Sequence, residues 1–115
     1  MQERRRAIRI DAPVLVEFPN PDTMKTERSY TSDVSERGMR FPTAVRLQVS
    51  QKLPLAIQLP FGGASMHATG DIMWIREIAR QGDPQYEVGV QFEWVEDPDR
   101  QHLTRFLLEM SRRRV

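Results

Sequence analysis

Cysteine is absent from the 115 residues, so neither a disulfide framework nor a thiolate metal site can be built. Histidine is nearly as scarce. His67 and His102 are the only two, and no spacing pairs them for a metal. No Ser–His–Asp order stands out and no glycine-rich phosphate loop precedes a helix. Enzyme chemistry therefore has no residues to start from, and no catalytic residue, metal ligand or cofactor is assigned. Long apolar runs are missing too. None approaches the ~20 residues of a membrane span, and Met1–Asp11 is too charged for a signal peptide. A soluble, cytoplasmic protein without membrane insertion is expected. Charge of one sign is also lacking. Seventeen basic residues face sixteen acidic ones, a net charge of +1, which argues against a partner that is a nucleic acid polymer.

What is present is unevenly placed. Arg4, Arg5, Arg6 and Arg9 crowd one end and Arg112, Arg113 and Arg114 the other, while Lys25 and Lys52 are the only lysines. Arginine is the better residue where a planar fork must grip phosphate or a guanine edge with two hydrogen bonds. A compositional bias towards arginine gives the same count.

The length suits one domain, burying roughly two-thirds of the surface its unfolded chain exposes. Residues 1–11 read as a flexible arginine-rich arm and 12–115 as the folded domain. The run Val14 to Phe18 predicts a first strand, and Asn20-Pro21-Asp22 a turn. Strands follow from about Glu27 to Asp33, through Met39-Arg40-Phe41, from Leu53 to Leu59, from Ser65 to Ile78 and from Tyr86 to Phe92. Gly70 inside the fifth suggests a bend or bulge. The last segment changes period. Asp97 suits an N-cap with Pro98 behind it, and Leu103, Phe106, Leu107 and Met110 make one apolar stripe along a helix over 98–113. Six strands and one amphipathic helix predict a mainly β fold: a small antiparallel six-stranded β-barrel with a C-terminal amphipathic α-helix covering one opening. Side chains fill so small a barrel, so a ligand must bind outside or at the rim.

Two motifs carry the chemistry. The first is Arg5-Arg6-Ala7-Ile8-Arg9, an Arg-x-x-x-Arg with Arg4 before it. The second is Asp33-Val34-Ser35-Glu36-Arg37-Gly38, an Asp-x-Ser-x-x-Gly at a strand end. Alone, the first reads as solvated surface and the second as an Asx-type turn with glycine supplying a positive φ. Together, in this order and followed by a barrel pattern, they resemble the PilZ family over nearly the whole chain, through Val88-Gly89-Val90-Gln91-Phe92 and the closing helix. Gly38-Met39-Arg40-Phe41 is also typical. Ser50 departs from the pattern, since many members carry glycine there.

The resemblance implies a receptor for cyclic di-GMP, with Arg4, Arg5, Arg9, Asp33, Ser35 and Gly38 as its binding residues. Their chemistry agrees. Guanine presents O6 and N7 as adjacent acceptors that an arginine fork meets with two hydrogen bonds, and its phosphodiesters take a charge-assisted contact. Asp33 and Ser35 supply acceptors for the guanine N1–H and N2–H, while Gly38 lets the turn close. Arg37 and Arg40 stand near enough to help. Arg4 suggests a second stacked messenger molecule. The arm is expected to order over the ligand and present a new surface to an unidentified downstream protein. The rival readings are a PilZ-like adaptor that binds protein and no nucleotide, and a single-strand nucleic acid binder. The second rival needs exposed aromatic platforms, whereas Trp74, Phe92 and Trp94 are expected in the core or against the helix.

Overall fold

The structure is a computed structural model that describes residues 9–60, 65–78, 82 and 84–113. Among these residues eight strands form one antiparallel sheet. They are β1 (Arg9–Ile10), β2 (Leu15–Pro19), β3 (Thr26–Tyr30), β4 (Asp33–Ser35), β5 (Gly38–Thr43), β6 (Lys52–Gln58), β7 (Ser65–Ile78) and β8 (Gln85–Val95), followed by helix α1 (Asp97–Arg113). The strand order is β1-β4-β5-β8-β7-β6-β2-β3. The expected mainly β architecture with one C-terminal helix is present, but the count of six and the closed barrel are not.

Both differences have a local cause. The strand expected over Glu27–Asp33 breaks at Thr31 and Ser32, where the chain leaves β2 and takes β5 as its partner. Thr31 anchors that crossing: its Oγ1 donates to the Ala12 carbonyl (2.7 Å) and accepts from the Val14 N–H (2.9 Å). The eighth strand is β1, at the end of the expected arm. It pairs with β4, Arg9 opposite Ser35 and Ile10 opposite Val34. Closure fails between β3 and β5, which lie against each other without a ladder. The Pro42 carbonyl faces β3 and accepts from the Ser29 hydroxyl. Proline has no N–H to return, so a side-chain bond stands where a rung would be.

The curled sheet wraps one core. Val16, Phe18, Phe41, Leu53, Leu55, Ile57, Met66, Ile72 and Val88 are buried within it, and the Phe18 and Phe41 rings meet at 5.4 Å between centroids. Strand β6 alternates exposed and buried side chains along its length, the period-two pattern of a half-buried strand. Helix α1 buries Leu103, Phe106 and Leu107 and packs on β1 and β7. Its first backbone bond runs from the Arg100 N–H to the Glu96 carbonyl (2.8 Å). That places the cap at Glu96, one residue earlier than the sequence suggested, and Asp97 inside the first turn. Asp99 turns outward from this turn and accepts the His67 N–H on β7 (2.9 Å). No helix is long and apolar enough to cross a membrane among the described residues.

Two bulges interrupt the β7–β8 ladder, between Thr69 and Gly70 and between Ile72 and Trp74. The first leaves Glu93 as the extra residue on β8, the second Met73 on β7. An extra residue inverts the inward-outward alternation beyond it. Trp74 follows buried Ile72 by two positions and would point inward in a regular strand; instead it is 39% exposed. Past Glu93, Val95 is buried and Trp94 is 58% exposed. The expectation that both tryptophans serve the core or the helix is therefore corrected. Phe92 is partly buried and does pack on the core.

Candidate functional site

The β4–β5 hairpin and β1 beside it build a cleft of about 530 Å³. Asp33 sits at its base. Its carboxylate is 1% exposed and holds two guanidinium groups: Arg9 Nη1 donates to Oδ1 (2.8 Å), while Arg40 Nε and Nη2 reach Oδ2 at 2.7 and 2.6 Å. Arg9 arrives from β1 and Arg40 from β5, so one buried charge fixes side chains from two strands. The two arginine side chains are 56% and 39% exposed. The hydrogen bond to Asp33 raises the Arg40 pKa, outweighing a smaller desolvation effect. Charge-assisted pairs of this kind orient a fork as well as binding it.

Ser35 holds the turn. Its buried Oγ accepts the N–H groups of Arg37 (3.1 Å) and Gly38 (3.3 Å). Gly38 is required for a reason other than its φ, which is not in the left-handed region. A Cβ there would lie 1.9 Å from the Val90 carbonyl oxygen of β8, and only glycine allows so close an approach. That contact seats the hairpin on β8, where the Phe92 N–H bonds the Arg37 carbonyl (2.7 Å).

The far wall comes from β7 and β8: Met73, Trp74, Gly89 and Gln91. The indole of Trp74 lies over Gly89, where an added Cβ would fall 2.2 Å from the ring. The cleft is thus lined by three arginines, Arg9, Arg37 and Arg40, against one acidic residue, Asp33, with Trp74 also in its wall. Such a set takes a planar, hydrogen-bonding and anionic ligand.

The structure brings together four of the residues expected from the sequence: Arg9, Asp33, Ser35 and Gly38. Arg4 and Arg5 lie outside the described residues. Sequence reasoning undervalued Arg40 and missed Trp74. Arg40 stands opposite Asp33 in the hairpin register, which a tight turn at Glu36-Arg37 implies. Trp74 had no such signal, because the bulge that exposes it has no fixed residue pattern. Among the described residues no three His, Asp or Glu side chains gather to hold a metal.

The profile of the PilZ domain matches residues 3–109 of the chain. No curated protein sequence matches. Among solved structures, the PilZ domain of YcgR from Escherichia coli, determined with c-di-GMP, is similar with a TM-score of 0.74 and 22% identity, over 96% of this chain and 94% of that one. MrkH of K. pneumonia gives 0.79 and 16% identity over 100% and 54%. The inhibitor of motility MotI/DgrA of Bacillus subtilis gives 0.77 and 18% over 96% and 52%. The chain spans about half the length of the last two. At these identities the likeness is one of fold.

Proposed function

The chain belongs to the PilZ domain family, and from that premise we propose that it is a non-catalytic cytoplasmic receptor for cyclic di-GMP that passes the signal to a partner protein. The observation that carries this reading is the Asp33 clamp, which holds Arg9 and Arg40 at the mouth of a cleft walled by Trp74. The solved PilZ domain of YcgR binds the same messenger, which supports the transfer of ligand to this chain.

Each residue then has a task. The guanidinium forks meet the guanine O6 and N7 and the phosphodiesters, a bidentate pair contributing about 1–3 kcal/mol of base discrimination. Trp74 offers a face on which a base stacks, worth roughly 1–3 kcal/mol. Asp33 first positions Arg9 and Arg40, and a guanine N1–H reaches its carboxylate by displacing one of them. Ser35 and Gly38 keep the hairpin closed on β8. Arg4 and Arg5, from the family motif, are assigned to the ligand as well, Arg4 to a second stacked messenger molecule.

A nucleotide panel tests the reading. Cyclic di-GMP at a hundredfold excess over its Kd stabilises the folded state by about 2.7 kcal/mol, a rise in Tm on the order of 10 °C for a domain this small. GTP and cyclic di-AMP leave the Tm within a degree or so of the free protein, on the order of experimental scatter. Equal shifts for all three nucleotides would mean a general anion site and would contradict guanine recognition.

A further inference from the structure

Trp94 is turned outward by the Glu93 bulge, as Trp74 is by the Met73 bulge, and the first indole also borders a depression, this one of about 600 Å³. Bulges that re-aim a side chain concentrate at functional surfaces. The floor is made of small residues in register across three strands, Pro54 opposite Thr69 and Thr69 opposite Trp94, with Ala56 beside them. Glu17, Glu96 and Asp99 line the depression together with His67, giving it an acidic lining. The neighbouring cations are already engaged: Arg28 bonds Glu17 (2.8 Å), and Lys52 pairs with Glu93 and Asp71. An exposed indole with Glu96 and Asp99 beside it favours a cation laid on its face, and aromatic side chains in such depressions dominate binding energy at interfaces.

We propose that this outer face of β2, β6, β7 and β8 docks a basic segment of the partner protein, with an arginine or lysine of that segment stacked on Trp94. The chemistry stands on the groove alone. Its role as the output surface rests on the receptor reading, and it gains from position: β7 and β8 carry Trp74 and Gly89 at the messenger cleft and Thr69 and Trp94 at the groove. One ribbon joins the two.

The test is fluorescence anisotropy of a labelled nonapeptide of alternating arginine and alanine titrated into the full chain at physiological salt, with the glutamate–alanine counterpart beside it. The arginine peptide binds and the glutamate peptide does not. Trp94→Ala and, separately, Glu96→Lys weaken binding about tenfold, in the range of a partly desolvated cation–aromatic contact, while Trp74→Ala leaves it unchanged. Cyclic di-GMP titrated into the same proteins separates the two readings. Peptide binding without nucleotide binding contradicts the receptor and leaves the groove standing. Nucleotide binding with peptide affinity indifferent to both groove variants, or no peptide binding, overturns the groove. Self-association in sedimentation that Trp94→Ala abolishes would make the occupant a second copy and overturn it too.

Discussion

Asp33 is the residue on which the site turns, because a buried carboxylate with two charged donors can neither move nor lose both partners cheaply. Stripping a buried charge of its partners costs about 3–5 kcal/mol, and here the two partners are the arginines that would meet the ligand. Gly38 is equally constrained, by backbone and not by charge. Gly38→Ala must push the hairpin away from the Val90 carbonyl, an overpacking cost of about 1–3 kcal/mol. Chemical denaturation should show that loss, and cyclic di-GMP affinity should fall with it; unchanged stability would mean the hairpin does not sit against β8 as described. Ser50 offers the opposite case. It holds φ 73° with its N–H bonded to the Ile72 carbonyl, the left-handed conformation that favours glycine. Relief of about 1–2 kcal/mol of strain, less the 0.5–1 kcal/mol entropic cost of glycine, predicts that Ser50→Gly stabilises by roughly 0.5–1 kcal/mol with messenger affinity unaltered. Denaturant midpoints of the two proteins decide it.

At the level of elements, β1 is the short strand that delivers Arg9. Two residues of ladder hold little by themselves, and the buried Ile10 between β4 and α1 supplies the rest. Ile10→Ala should cost about 2–5 kcal/mol if the site does not collapse around it, and should weaken cyclic di-GMP without touching a ligand-contacting group. Raised amide exchange at Arg9 and Ile10 in the variant would mark the strand as undocked; weaker binding with unchanged exchange would contradict that route. The strands and helix were legible in the sequence because alternation in β6 and the Leu103, Phe106, Leu107 stripe are local patterns. The Asp33-to-Gly38 turn was legible through its family motif. Three things were not. The break at Thr31 depends on which strand lies alongside, the open edge on what Pro42 faces across the sheet, and the outward turn of Trp74 on a bulge that shifts a register without marking the sequence. The bulge beside Trp94, by contrast, falls at Gly70, where the sequence suggested one. Arg9 and Ile10 were read as arm because a two-residue strand carries no periodicity.

Taken whole, the molecule is an open sheet curled around one core, with the candidate cleft midway along the β7–β8 ribbon and the acidic groove at one end of it. The helix packs on β1, so the strand that carries Arg9 is held by both β4 and α1. The account rests on the claim that the cleft is a specific site for cyclic di-GMP. Calorimetric titration of the chain with the messenger, with Arg9→Ala beside it and GTP as control, tests this most directly. The account predicts saturable heat with a Kd of about a micromolar or lower, some 8 kcal/mol, weakened about tenfold or more in Arg9→Ala and absent for GTP. A folded native chain that gives no heat with cyclic di-GMP, or an Arg9→Ala protein that binds as well as the native one, would contradict it and favour an adaptor that binds protein alone.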